Sequence, residues 1–284
     1  MIPAAFEYHR PDSVEDAVKI ISDHGDEARV VAGGHSLIPL MKLRMTGLSH
    51  LVDLQGIGGL KGIKVDGDTI TIGAMTTQHE LIASKELAAA SPIMAEAALQ
   101  IADPQVRYMG TIGGNVANGD PGNDMPGLMQ CLDATYTLVG PSGERSVSAR
   151  NFYEAAYFTE REDDEILTSV SFSVNSGGHA YEKQKRKIGD YATAAAAVLI
   201  TKSGGTCSAA SIALTNLADT PIYCEEAVAG LVGSSLSAAD IDAAVKAAVG
   251  ASDPAEDNRG PVEFKKHAAS VVVRCAIERA IGRA

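Results

Sequence analysis

Apolar positions recur along this chain at two spacings, and together they predict a mixed fold. SVEDAVKIISDH (13–24) carries its apolar residues at the three-and-four spacing of an amphipathic helix. Ser13 with Asp16 resembles a capping box, and Gly25 is a natural C-terminal stop. ARVVAGG (28–34) reads as a short strand running into a glycine turn, and HLVDL (50–54) as another strand. IKVDGDTITIG (63–73) alternates around Asp66-Gly67, the signature of a hairpin. Thr77 with Glu80 caps a helix to residue 84, and Pro92 opens a second that ends near Ala102. A glycine-rich loop is expected over 110–123, then a short helix from Pro126 to Leu132, a hairpin over 135–147 and a strand over 164–174. SGG at 176–178 marks a domain boundary.

Beyond it, AAAAVLITK and CSAASIALTN flank a second SGG at 203–205. Polyalanine favours helix by propensity. The matched lengths and the turn residues favour a hairpin. Three helices, over 224–232, 238–249 and 261–282, complete the chain. Hairpins and helices in this mixture suggest an α+β fold rather than a doubly wound parallel sheet.

Composition narrows the function. A length of 284 residues suits about two domains. The net charge of −12 argues against a nucleic-acid partner, which needs a basic footprint, and against docking on an anionic membrane through this chain alone. No apolar run approaches the ~18 residues of a membrane span, and no signal peptide is visible. Cys131, Cys207, Cys224 and Cys275 form no CxxC pair. They read as free thiols in a reducing cytoplasm, and they cannot hold an iron–sulfur cluster of the four-cysteine type. His24, His35, His50 and His79 are scattered along the chain, so no metal site is expected.

Candidate chemistry lies in two glycine pairs, Gly33-Gly34 in VVAGGHSLIPL and Gly113-Gly114 in YMGTIGGNVANGDPGNDMP. Such loops let consecutive N–H groups converge on an anion. Ser36, Thr111 and Asn115 add neutral donors. Two loops could grip the two phosphates of one dinucleotide, although one glycine pair alone is usually just a turn. The standard dinucleotide fingerprint is missing: Gly56-Ile57-Gly58-Gly59-Leu60-Lys61 lacks the third glycine and reads as a turn. There is no P-loop and no GxSxG, and Ser36 has no base near it in sequence except His35.

AGGHSL (32–37) and TIGGN (111–115) resemble the two FAD-diphosphate loops of the flavin subunits of molybdenum hydroxylases, the xanthine dehydrogenase group. IADPQVRYMGTIGGNVANGDPGNDMP (101–126), YEKQKRKIGDYATAAAAV (181–198) and FEYHRPDSVEDAV (6–18) closely resemble the medium subunit of aerobic molybdenum–copper carbon monoxide dehydrogenases. The resemblance covers essentially the whole chain. It implies an FAD-binding domain of two α/β subdomains over 1–176, and a C-terminal domain over 177–284 with a three-stranded antiparallel sheet and helices. It also implies partners: a large molybdenum-cofactor subunit and a small subunit with [2Fe–2S] clusters, paired as a dimer of heterotrimers. Electrons would pass from the clusters through FAD to an acceptor such as a quinone, in the cytoplasm or at the inner face of its membrane. No residue of this chain need be catalytic in the proton-transfer sense.

By the same resemblance, Ala32, Gly33, Gly34, His35, Ser36 and Leu37 match the first diphosphate loop, and Thr111, Ile112, Gly113, Gly114 and Asn115 the second. Backbone N–H groups would do most of the binding. His35 reads equally as a packed or capping residue. Asp120 and Asp124 fall where the family approaches the ribityl or adenosine part of FAD, and Asp124 fits a helix cap equally well. Lys185, Arg186 and Lys187 form a charge run that is ordinarily a solvated face; the sharper reading puts Lys187 beside the flavin pyrimidine edge. Tyr191 matches a tyrosine that covers the isoalloxazine ring, against the plainer reading of a half-buried core tyrosine.

Three functions compete at this point. One is the flavin subunit just described, for carbon monoxide or, in a sister enzyme, for an aldehyde, purine or N-heterocycle. Another is a free-standing flavoprotein oxidase or reductase, for which the chain is short of a substrate-cap domain. The third is a scaffold that kept the fold and lost the flavin, which the intact AGGHS and TIGGN oppose.

Overall fold

The computed structural model describes residues 1–175 and 177–284. The boundary expected at 176–178 therefore includes one residue, Ser176, outside the described residues.

The first unit is a small parallel sheet. It contains β1 (Glu7–His9), α1 (Val14–His24), β2 (Ala28–Val31), α2 (Leu37–Leu43) and β3 (His50–Asp53), with strand order β1-β3-β2. Ser13 accepts from Asp16 N and Gly25 caps the far end of α1. Ala17, Val18 and Ile21 of α1 pack on Ala28 and Val52 of the sheet. At three residues, β1 is too short for its pattern to announce it. The fold also corrects the reading of the histidines as scattered: His24 and His50 meet, together with His9.

The second unit is a five-stranded antiparallel sheet with helices inserted in it. β4 (Ile63–Asp66) and β5 (Thr69–Gly73) form the expected hairpin. Six short helices follow: α3 (Gln78–Ala83), α4 (Lys85–Ala90), α5 (Pro92–Ala98), α6 (Pro104–Met109), α7 (Ile112–Ala117) and α8 (Asp124–Cys131). Then come β6 (Thr135–Gly140), β7 (Gly143–Ser148), the small ribbon β8 (Tyr153–Ala155) with β9 (Phe158–Thr159), and β10 (Ile166–Ser173). The large sheet runs β4-β5-β10-β6-β7. α3 opens with a complete Thr77–Glu80 capping box. Two expectations change here. The helix at Pro92 stops at Ala98, short of Ala102, and the expected loop over 110–123 contains the helix α7.

Behind this sheet, Arg145 of β7 ties the chain before β10 in place. Its guanidinium donates to both carboxylate oxygens of Glu165, at 2.6 and 2.7 Å, and to Glu160. Those bonds hold the Glu165 carboxyl below its ordinary range. A depressed carboxylate pKa stabilises the fold above the unfolded value and is lost as pH falls through the folded one. Arg145→Gln is expected to cost about 1–2 kcal/mol at pH 7, the scale of charge-assisted hydrogen bonds. It should also flatten the acid limb of stability below about pH 4.3, the unfolded glutamate value. Urea midpoints at pH 7 and pH 3 for both proteins measure this.

The third unit is built on β11 (Gly178–Gln184), β12 (Ala194–Ser203) and β13 (Thr206–Thr215), antiparallel throughout, with a two-residue fourth strand, β14 (Ile222–Tyr223), at its edge. The helices α9 (Glu225–Leu231), α10 (Ala238–Gly250) and α11 (Val262–Arg283) follow. The polyalanine run is strand because both of its faces are buried. Ala194, Ala196 and Val198 join the core beneath α11, whereas Ala195 and Ala197 join the core of the second unit. Small side chains let helices approach both faces. Gly127 of α8 sits so close to β13 that an added Cβ would lie 2.2 Å from Thr215 Oγ1. The two larger units thus share one apolar core across the expected boundary.

Candidate functional site

The end of β2 and the start of α7 belong to different units, yet they touch. A Cβ added at Gly33 would lie 2.4 Å from Met109 O and 2.8 Å from Gly110 Cα. One added at Gly114 would lie 3.6 Å from Ala32 Cβ. The two glycine pairs, about eighty residues apart in sequence, therefore form one wall. That wall belongs to a cavity of about 540 Å³, the size of an ordinary ligand cleft.

The first loop is open. Gly34 has φ +75°, a conformation that favours glycine, and turns the chain from β2 into α2. Among the described residues, the N–H groups of Gly33, Gly34, His35 and Ser36 find no acceptor within the chain. Ser36 stands at the N-cap of α2, but its hydroxyl makes no cap bond. His35 and Ser36 are exposed, and Ala32 to Leu37 all line the cavity.

The second motif is committed to its own fold. Ile112 N donates to Thr76 O, Gly113 N to Ala74 O, Gly114 N to Thr111 Oγ1 and Asn115 N to Thr111 O. Its glycines act through closeness. A Cβ at Gly113 would lie 2.5 Å from that of Ala74, so glycine is what lets α7 lie against the β5 end. Asn115 Oδ1 accepts from Met125 N. Thr111, Gly113, Gly114 and Asn115 line the cavity, whereas Ile112 turns into the core with no exposed surface.

Asp124 is the first residue of α8, and Asn123 holds the cap position. Its carboxylate is turned to β11 instead. Tyr181 Oη donates to Oδ1 at 2.6 Å and Lys183 Nζ to Oδ2 at 2.8 Å. Burial pushes the Asp124 carboxyl up, against the pull of those two donors. Asp124 and Lys183 both line the cavity. Lys187 is exposed and is not among the lining residues. Period-two alternation along β11 puts Tyr181 and Lys183 on one face, a signal present in YEKQK that points to Lys183. Lys185 Nζ donates to Gln100 Oε1.

Tyr191 lines the cavity with Gly189 and Asp190. Burial of its hydroxyl pushes the pKa to about 12, so it remains a hydrogen-bond donor at neutral pH. Its ring lies over Gly122, where a Cβ would come within 2.9 Å of it. Asp120 accepts from Gly122 N and sits outside the cavity lining, close enough to Tyr191 and Tyr157 to raise both hydroxyls.

Gln78, Arg29 and Arg161 are among the lining residues outside the motifs. Gln78, at the start of α3, is 1% exposed, and neither Nε2 nor Oε1 has a partner in the chain. Arg29 and Arg161 also line the cavity. Nothing in the spacing of these residues announces them; they reach the cavity only through topology.

Comparison with known proteins agrees with this architecture. Residues 4–172 match the FAD binding domain in molybdopterin dehydrogenase, and residues 179–280 the CO dehydrogenase flavoprotein C-terminal domain. The carbon monoxide dehydrogenase medium chain of Afipia carboxidovorans is 58% identical, over 100% of this chain and 99% of that protein. A chain in the crystal structure of the Cu,Mo-CO dehydrogenase in its cyanide-inactivated form superposes with a TM-score of 0.98, at 57% identity over 100% of both chains. A chain of quinoline 2-oxidoreductase from Pseudomonas putida 86 superposes with a TM-score of 0.95, at 32% identity over 100% of this chain and 99% of that one. With both segments matched and both glycine pairs on one wall of the cavity, the chain belongs to the family of the FAD binding domain in molybdopterin dehydrogenase and is an FAD-dependent oxidoreductase subunit.

Proposed function

We propose that this chain is the FAD-binding electron-transfer subunit of a carbon monoxide dehydrogenase-like molybdenum hydroxylase. The observation that carries the reading is the full-length likeness to a carbon monoxide dehydrogenase medium chain. The proposed partners are a large molybdenum-cofactor subunit and a small [2Fe–2S] subunit, assembled as a dimer of heterotrimers, with a quinone-type acceptor. The complex would work in the cytoplasm or at the inner face of its membrane. Among the described residues, no helix is long and apolar enough to cross a membrane. Residues 1–176 are assigned to the FAD-binding domain and 177–284 to the C-terminal domain, in keeping with the two family matches.

The cavity fits FAD. The open N–H groups of Gly33 to Ser36 suit a diphosphate, and Arg29 and Arg161 offset its charge. The amide of Gln78 needs a polar partner, since an unsatisfied buried group costs about 1–3 kcal/mol. FAD, when bound, supplies a store for two electrons that can be exchanged singly. The chain's own residues bind, orient and shield. Ala32 to Leu37 hold the diphosphate. Thr111, Ile112, Gly113, Gly114 and Asn115 frame the wall behind it. Tyr191 restricts solvent over one side of the cavity, Lys183 and Asp124 set the charge at its rear, and Asp120 positions Tyr191. Lys187, exposed beside the lining residues Gly189 to Tyr191, is the cation proposed for the pyrimidine edge of the flavin.

Gln78→Leu is expected to weaken FAD binding about tenfold, equivalent to roughly 1.4 kcal/mol, with the fold intact by circular dichroism. Fluorescence titration of the apoprotein reads it. The function itself is tested on the complex purified from its host. Carbon monoxide should bleach the flavin's visible absorbance, and iron and molybdenum should copurify. Bleaching only by an aldehyde, a purine or an N-heterocycle would assign the chain to a sister hydroxylase. Direct reduction of the isolated flavoprotein by one of these substrates would instead make it a free-standing enzyme.

A further inference from the structure

Three histidines distant in sequence meet at one end of the small parallel sheet. His9 ends β1, His24 ends α1 and His50 begins β3. His9 Nε2 and His50 Nδ1 are 3.0 Å apart. The His24 ring stacks on that of His50 with centroids 3.6 Å apart, and the His9 ring lies 5.3 and 5.9 Å from the other two. One ring nitrogen from each lies within 4.8 Å of the others. Glu7 Oε2 stands 3.7 Å from His50 Nδ1.

We propose that His9, His24 and His50 form a binding site for a divalent transition-metal ion of the zinc class, with Glu7 or water as the fourth ligand. Neutral imidazole is the ligand these metals take, whereas magnesium and calcium prefer oxygen. A tetrahedral zinc with nitrogen ligands at about 2.0–2.1 Å places its donor atoms about 3.4 Å apart. The His9–His50 pair, at 3.0 Å, needs to open by only about 0.4 Å to reach that spacing. Rotation of the His24 side chain from its stacked position brings the third nitrogen in. Binding of an ion to both nitrogens would replace the hydrogen bond between them, with the ring that donates it moving its N–H to its other nitrogen.

The site is separate from the flavin cavity. His50 pairs with Ala28, the first residue of β2, while the glycine turn follows Val31, the last. Of the residues beside this pairing, Arg29, next to Ala28, does reach the cavity. None of the three histidines lines the cavity. The role is therefore a staple. The ion would join β1, α1 and β3, three elements of a unit whose own core is small, where metal binding adds directly to folding stability.

The test uses the full chain without a polyhistidine tag, loaded with FAD and stripped of metal by a chelator. Calorimetric titration with Zn²⁺ at pH 7.5 should show one ion per chain, bound at least tenfold more tightly than by His24→Ala or His50→Ala. Zinc should raise the melting temperature of the wild type and leave that of the variants unchanged. Cobalt in place of zinc should give the visible bands of a four-coordinate site. Flavin content reports whether a variant folds. Should either fail to fold, His9→Asn and the wild-type cobalt spectrum decide. Absence of zinc uptake by the wild type, or equal uptake by wild type and folded variants, would overturn the proposal.

Discussion

Gly33→Val is expected to abolish FAD binding while leaving most of the fold in place. The cause is distance. A Cβ at this position lies 2.4 Å from Met109 O and 2.8 Å from Gly110 Cα, and both are backbone atoms that cannot rotate aside. The loop must move outward, and the N–H groups of Gly33 to Ser36 move with it. Two or more lost hydrogen bonds to a charged group, at about 1.5–3 kcal/mol each, remove more than a hundredfold in affinity. Flavin retained per chain after gel filtration is the measurement. Gly58→Ala serves as the control, because nothing lies within 4 Å of its added Cβ. Gly113→Ala should act differently. It presses on Ala74 Cβ and O, at 2.5 and 2.7 Å, so it should lower the melting temperature along with flavin content. Stoichiometric flavin on Gly33→Val would remove the first loop from the binding site.

The contrast between these two glycines shows what was legible in the sequence. The hairpins at Asp66-Gly67 and Gly204-Gly205 could be read because alternation and turn chemistry are local. So could the caps of α1 and α3, where Ser13 and Thr77 precede their partners by three residues. TIGGN looked like a loop because two glycines oppose helix. Packing on Ala74 and the Thr111 cap make it helical all the same. The polyalanine strand was recoverable only from its pairing, because its burial on two faces is a tertiary fact. The cavity was half legible. Its first loop lies in one contiguous stretch, but Gln78, Arg29, Arg161 and Lys183 come from separate elements. The three histidines belong to the same class: positions 9, 24 and 50 have no shared spacing, and a parallel sheet with one crossing helix brings them together.

Lys183→Met is expected to be the most destabilising single change at the cavity. Lys183 and Asp124 have side chains 1% and 5% exposed, and their ion pair spans 2.8 Å. Removing the ammonium leaves the Asp124 carboxylate with the Tyr181 hydroxyl alone, 2.6 Å away. Breaking a buried pair from one side costs about 3–5 kcal/mol, because the surviving charge has left water without compensation. The carboxyl can escape only by taking up a proton, which raises its folded pKa further above the unfolded value of about 3.9. A raised carboxyl pKa makes the folded state bind the extra proton, so stability falls as pH rises through the window between the two values. The variant should accordingly be closer to wild type at pH 5 than at pH 7.5. Asp124→Asn combined with Lys183→Met removes both charges, and it should recover at least about 1 kcal/mol of the single variant's loss, a coupling typical of residues in contact. Urea midpoints of the four proteins at both pH values give the coupling energy directly. If the losses simply add, with no dependence on pH, the two side chains are packed neighbours and the charge at the rear of the flavin cavity is not fixed by their pairing.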